Sequence, residues 1–140
     1  YAFSISPEEI IRRFEHGTAS FERRIQNVEA AIEKNCQVRL CFDPMVYING
    51  WENIYSQMID TIISRVDMSK IKDISIGTVR ISGDYLKKFR KISPDSAAVQ
   101  FPFEKEDGYC VYPKDLREKM TGLLVDKLEE VYSHDRIYCE

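Results

Sequence analysis

Polar side chains follow each of three short apolar runs in this sequence, and their types suit the binding of a polar ligand. Hydroxyl, carboxylate and guanidinium groups together bind a molecule that carries an anionic group and several donors, and an arginine binds carboxylate or phosphate in bidentate fashion. The ends of parallel strands meet at one edge of a sheet, where ligands bind. The candidates for such a site are Ser4, Ser6, Asp43 and Arg80, with Tyr47 and Ser82 beside them.

Each of these residues also has a purely structural interpretation. Ser6 and Ser82 stand where helices begin, so their hydroxyls can cap a helix instead of contacting a ligand. Asp43 precedes a proline and can bond its own backbone in a turn. Arg80 can form an ion pair at the edge of the sheet. These alternatives stay open at the level of sequence.

The loop after the first helix contains one of the two histidines, His16. A single histidine without neighbouring Cys or His is a poor metal site, and the sequence predicts no metal ligands here. Its neighbour Glu15 is expected to order the loop by pairing with Arg23 or Arg24 on the next helix.

Two tyrosines near residue 110 have two interpretations. After the acidic stretch Glu104–Gly108, Tyr109 and Tyr112 flank Cys110. They either belong to a hairpin arm that reaches toward a substrate or cover a hydrophobic core. Tyr109 is therefore included as a candidate substrate-binding residue.

The elements that must position these residues alternate between strands and helices. This alternation predicts an α/β fold with three to four mainly parallel strands flanked by helices. Because so few strands cannot close a barrel, the sequence predicts an open piece of a (β/α) barrel. Residues 1–140 are expected to form a single domain. The expected strands are 1–5, 38–42 (ended by Asp43-Pro44), 74–79 and 136–139. The expected helices begin near Ser6, Ser20, Gly50, Ser82 and Pro113. On the last of them the side chains expected to point inward are Leu116, Met120, Leu123, Leu124 and Val131. The segment 93–112 is expected to be less regular.

Composition sets the class of protein. The 140 residues carry a net charge of −3, so a nucleic-acid partner requires a local basic patch, and none is evident as a basic run. No apolar run is long enough to cross a bilayer. The four cysteines form no metal-binding spacing and are interpreted as reduced and mostly buried, which favours a cytoplasmic location.

Three motifs carry a resemblance to a known family. They are Phe3-Ser4-Ile5, then Phe14-Glu15-His16-Gly17-Thr18-Ala19-Ser20, and then Asp43-Pro44-Met45-Val46-Tyr47-Ile48-Asn49-Gly50-Trp51-Glu52. In order and spacing the chain resembles the C-terminal half of the spore photoproduct lyase family. This is a family of radical S-adenosylmethionine (SAM) enzymes that repair DNA.

The resemblance implies an activity and a set of site residues. It implies half of a partial (β/α) barrel in an enzyme that cleaves S-adenosylmethionine to a 5′-deoxyadenosyl radical and thereby reverses the thymine spore photoproduct. By position, Ser4 matches the family serine near the SAM carboxylate. Ser6 and Asp43 lie on the same cofactor edge, and Arg80 matches a basic position that suits substrate.

Two departures from the family pattern limit what this chain does alone. The cysteines that bind the iron–sulfur cluster belong to the N-terminal half of the family, which is expected to be the missing partner. By itself this segment is expected to be inactive and to self-associate through exposed strand edges. The family's DNA-contacting hairpin is basic, whereas 99–115 here is acidic.

Three functions remain compatible with the sequence. The first is lesion repair with UV-damaged DNA as the partner. The second is a radical SAM reaction of the same family on a non-DNA substrate, and the third is a non-catalytic ligand-binding or interaction domain.

Overall fold

The computed structural model describes residues 1–140 and contains two β-sheets. The first is built from β1 (Ala2–Ser4), β2 (Val38–Met45), β3 (Ile71–Thr78) and β7 (Ile137–Cys139). These four strands are parallel and lie in the order β1-β2-β3-β7. The second sheet is antiparallel, contains β4 (Arg80–Ser82), β5 (Glu104–Glu106) and β6 (Tyr109–Val111), and has the order β4-β6-β5.

Six α-helices connect the strands. They are α1 (Glu8–Phe14), α2 (Phe21–Glu33), α3 (Trp51–Arg65), α4 (Gly83–Ile92), α5 (Ala97–Gln100) and α6 (Lys114–Glu129), and short 3-10 turns lie at Met68–Lys70 and His134–Arg136. Ser20 and Ser82 cap α2 and α4 by accepting hydrogen bonds from backbone N–H groups, as their residue types favour. No helix meets the length and hydropathy needed to cross a membrane.

The parallel sheet has one face packed by helices and one open face. On the packed face, Leu40 pairs with Ile74 and Phe42 with Ile76, and all four are almost completely buried. They form one core with apolar residues of α2, α3 and α6. Because successive side chains of a strand point to opposite faces, the residues between them form the other surface. We call this the open face: Ser4, Arg39, Cys41, Asp43, Asp73 and Ser75.

The parallel sheet and its helices confirm the predicted class of fold, with differences at four places. The second strand does not end at Asp43-Pro44: it continues to Met45, with an irregular register after Phe42. Proline lacks the N–H that the ladder needs, so it interrupts the pairing there without ending the strand. The Asp43–Pro44 peptide bond is cis.

The other three differences concern a helix start, the irregular segment and Val131, which was expected to point inward. Ser6 does not cap α1, because Pro7 occupies the cap position and no side chain bonds there. The segment expected to be irregular holds α5 and the two strands of a hairpin, and Arg80 lies in β4 instead of at the end of the third parallel strand. On α6 the buried residues are Met120, Leu124 and Leu128, while Val131 beyond it is 47% exposed.

Candidate functional site

Ser4 and Asp43 lie on the open face near the carboxyl ends of neighbouring strands. The Cα of Ser4 is paired with that of Cys41, and Asp43 follows two residues later on the same face of β2. Both residues are exposed, whereas Cys41 between them is partly buried. The open face thus carries a hydroxyl on β1 and a carboxylate on β2.

The carboxyl of Asp43 lies directly over a glycine of the neighbouring strand. A Cβ added to Gly77 would meet Cγ and Oδ1 of Asp43 at 2.9 Å, so any other residue here would require this carboxyl to move. Glu140 is close by, and its backbone N–H donates to the carbonyl oxygen of Ile76 at 2.9 Å. Loss of hydration against Gly77 raises the pKa of Asp43, and the nearby Glu140 carboxyl raises it further.

A cavity of about 450 Å³ joins Asp43 to the antiparallel sheet. Two guanidinium groups, Arg80 and Arg117, and three carboxyl groups, Asp43, Glu106 and Glu140, line it. Arg117 donates to Glu106 at 2.6 Å, while its Nε is buried without a partner. Donors and acceptors are therefore mixed around one opening, which suits a polar ligand of balanced charge.

Arg80 and Tyr109 are stacked on each other. The guanidinium carbon of Arg80 lies 4.2 Å from the centre of the Tyr109 ring, because β4 and β6 pair in a register that places them on adjacent strands. The Tyr109 ring is 40% exposed. Tyr109 therefore lies on a hairpin and does not cover the core, while its contact with a substrate stays a prediction.

Tyr112 instead belongs to the core. It is fully buried among Tyr47, Phe101 and Phe103, with ring centres between 4.9 and 6.2 Å from its own. Its hydroxyl accepts a hydrogen bond from the backbone N–H of Tyr47 at 2.9 Å, and burial raises the pKa of Tyr112 to about 12. This cluster fixes the hairpin to the segment that follows β2.

Ser6 is held by a network behind the open face. It is 5% exposed, and its hydroxyl donates to Glu15 Oε1 at 2.7 Å. Arg24 pairs with the other oxygen of Glu15 at 2.5 Å, which confirms one of the two expected partners. Arg24 also donates to the backbone carbonyl oxygen of Ser4 at 3.2 Å. Ser6 therefore acts on the loop through Glu15, and His16 beside it is exposed.

Three residues of this region did not emerge from the sequence. Gly77 carried a signal, since a glycine inside a strand often marks a close approach. Arg117 and Glu140 carried none, because each reaches the cavity from an element distant in sequence.

The cysteines are free and dispersed. Cys110 is buried, Cys36 and Cys41 are partly buried and Cys139 is exposed, so the expectation that most are buried is wrong. No three His, Cys, Asp or Glu side chains lie together as metal ligands.

The four-stranded parallel sheet with helices packed on one face defines this chain as an α/β protein. The profile of the family described as spore photoproduct lyase matches residues 1–105. The chain belongs to the spore photoproduct lyase family. No curated protein sequence matches it significantly.

Solved structures of spore photoproduct lyase share the fold. A cysteine-to-alanine mutant with dinucleoside spore photoproduct superposes with a TM-score of 0.81 at 17% identity. A double mutant with bound AdoMet and dinucleoside spore photoproduct has a TM-score of 0.78 at 17% sequence identity. A complex with dinucleoside spore photoproduct has a TM-score of 0.78 at 16% sequence identity. In each case the match covers 99% of this chain and 43% of the relative.

Proposed function

We propose that this chain forms the C-terminal part of a cytoplasmic radical SAM lyase that reverses the thymine spore photoproduct in DNA. The observation that carries the proposal is the shared surface of Ser4 and Asp43 on the open face, next to the cavity that contains Arg80. Solved relatives with this fold are described with AdoMet and dinucleoside spore photoproduct, which supports both ligand classes.

The open face fits S-adenosylmethionine by the chemistry of its groups. The Ser4 hydroxyl donates to a carboxylate, and the Asp43 carboxylate accepts from an amine or a ribose hydroxyl. Ser6 contributes through the Glu15–Arg24 network that supports Ser4. When bound next to a reduced iron–sulfur cluster, the cofactor supplies radical chemistry. The cluster ligands come from the N-terminal half of the barrel, the partner that would cover the open face.

Arg80 and Tyr109 suit the substrate. Arg80 lines the cavity and its guanidinium is stacked on Tyr109, so it can donate two hydrogen bonds to carbonyl or phosphate oxygens there. The exposed part of the Tyr109 ring offers a flat surface to a thymine. Substrate contact is thus assigned to the hairpin and cofactor contact to the open face.

A second function keeps the chemistry and changes the substrate. The hairpin turn and its strands expose Glu104, Glu106 and Asp107, which repel phosphate groups. This acidic arm favours a radical SAM reaction on a non-DNA molecule. The two functions predict different results in one assay.

The test uses the full-length protein reconstituted with its cluster. Ser4→Ala should weaken AdoMet binding about tenfold, the effect of one hydrogen bond to a charged group. Arg80→Gln should slow repair of dinucleoside spore photoproduct by about tenfold or more with unchanged AdoMet affinity. Lys105→Gln, on the exposed hairpin, is the matched control and should change neither quantity.

Two results would contradict the proposal. Wild-type protein that cleaves AdoMet and leaves the photoproduct intact would exclude lesion repair and favour the second function. Unchanged AdoMet affinity in both Ser4→Ala and Asp43→Ala would remove the cofactor assignment.

A further inference from the structure

The exposed part of α4 carries large apolar side chains along one side and lysines along the adjoining side. Tyr85 is 61% exposed, Phe89 43% and Ile92 76%, while Leu86 is the helix's only buried residue. The three exposed residues follow each other at spacings of four and three, so they form a stripe along the helix. Contiguous exposed apolar side chains can mark interaction sites. We define the α4 surface as Tyr85, Lys87, Lys88, Phe89, Lys91 and Ile92.

The aromatic part of the α4 surface is ordered by its own contacts. The rings of Tyr85 and Phe89 lie 6.2 Å apart at an angle of 30°. The Lys88 ammonium lies 5.7 Å from the centre of the Tyr85 ring. A flat, exposed aromatic face next to a cation is the arrangement on which nucleic-acid bases stack.

The lysines of the α4 surface are not neutralised. Lys87, Lys88 and Lys91 form no ion pair with any carboxylate of the chain. Arg90 is different, since it donates to the carbonyl oxygens of Val99 and Phe101 and holds the following segment. The helix has four basic residues and one acidic residue in a chain of net charge −3. The expectation that the sequence has no basic run is therefore wrong: α4 is the local basic patch that a polyanion requires.

An apolar groove runs beside this surface. A cavity of about 380 Å³ separates α4 from α1 and is lined mainly by apolar side chains, including Phe14, Leu86 and Phe89. Arg13 and His16 lie on its opposite edge. The groove thus offers an apolar floor to a flat group.

We propose that the α4 surface binds a single strand of DNA, with phosphates on Lys87, Lys88 and Lys91 and an unstacked base against Tyr85 and Phe89. The proposal rests on the proposed function, because it takes that strand to be the DNA next to the lesion. Continuity supports this: α4 follows β4 directly, and Ser82 of β4 pairs with Tyr109 of the hairpin. The unpaired lysines favour this polyanion over a protein partner.

The test measures binding of a fluorescent, undamaged thymine oligonucleotide to the full-length protein at several salt concentrations. Log affinity falls as log salt rises. Replacing Lys87, Lys88 and Lys91 by Gln should make this fall shallower by about 2 in slope, which corresponds to the loss of three phosphate contacts on a single strand. The control replaces Lys34, Lys70 and Lys119 by Gln. It changes the net charge equally at exposed positions elsewhere and should leave the slope unchanged.

The aromatic contribution has its own variant. Tyr85→Ala combined with Phe89→Ala should weaken oligonucleotide binding about tenfold and keep the salt slope, because stacking involves no released counterion. Unfolding curves check that the variants fold. An equal change of the salt slope in the control variant would overturn the proposal, and so would wild-type protein whose oligonucleotide binding does not depend on salt. A lysine variant that changes only self-association or the binding of another protein would also overturn it.

The outcome is separable from that of the proposed function. If the protein binds the oligonucleotide through α4 and does not repair the photoproduct, lesion repair fails and the DNA surface stands. If it repairs dinucleoside spore photoproduct and the lysine variant repairs a damaged oligonucleotide equally well, the DNA surface fails and lesion repair stands.

Discussion

Arg24 donates a hydrogen bond from its guanidinium to the backbone carbonyl oxygen of Ser4 at 3.2 Å, although the two residues are 20 positions apart. The same guanidinium pairs with Glu15 and donates to the carbonyl oxygen of Ala19. One side chain of α2 therefore ties the end of β1 to the loop after α1. This hydrogen bond and the pairing of β1 together hold Ser4 in position on the open face.

Arg24→Ala should lower the free energy of unfolding by about 1–3 kcal/mol, because it leaves the partly buried Glu15 carboxylate without its cation. Arg23→Ala is the control: Arg23 is exposed on the same helix, and its loss should stay within about 0.5 kcal/mol. Denaturant unfolding measures both. Equal stability of the two variants would show that the network around Ser4 contributes nothing.

Tyr112 links the hairpin to the segment after β2, and its hydroxyl is the testable part of that link. Tyr112→Phe keeps the ring and leaves the backbone N–H of Tyr47 without its acceptor, which should cost about 1–3 kcal/mol of unfolding free energy. Tyr138→Phe, at an exposed ring, should be close to neutral. Hydrogen exchange at the Tyr47 amide should accelerate only in the first variant, and unchanged exchange would argue against the bond.

Local patterns predicted the parallel sheet well. Each expected parallel strand lies within a few residues of its place, although the apolar run at 38–42 is buried on one face only. The Glu15–Arg24 pair was also foreseeable, since the two residues belong to consecutive elements. Such features depend on residues close in sequence.

The antiparallel sheet and the cavity depend on distant residues. Its three strands have only three residues each, too few for an alternating pattern to be visible. Arg117 and Glu140 reach Asp43 through the placement of α6 and β7. The burial of Ser6 was equally hidden, because a serine before a proline looks like a cap whether or not it bonds a glutamate.

The requirement for glycine at position 77 is predicted to depend on the Asp43 side chain. Gly77→Ala should destabilise the fold by about 1–2 kcal/mol, because the new Cβ would lie 2.9 Å from the Asp43 carboxyl. In an Asp43→Ala background the cost should shrink, giving a measurable coupling between the two positions. Gly122→Ala on α6, where no atom lies within 4 Å, is the control and should stabilise the helix slightly. Additive effects of the Gly77 and Asp43 changes would contradict the contact.

The carboxyl of Asp43 should leave a signature in the pH dependence of stability. Its pKa in the folded protein is raised above the unfolded value of 3.8, so the folded state holds this proton more tightly. Unfolding free energy should therefore fall as the pH rises from 3.8 through the folded pKa and then level off.

Asp43→Asn should remove this fall. At neutral pH the unfolding free energy of this variant should exceed that of the wild type by less than about 1 kcal/mol, because the carboxyl is partly exposed. Below pH 3.8 the two proteins should be equally stable. Glu140→Gln should give a smaller change of the same sign, because burial is the larger cause of the raised pKa. Urea unfolding between pH 3 and 8 measures all three proteins. A variant that loses stability at neutral pH would show that Asp43 is an ionised, well-paired group in the folded protein.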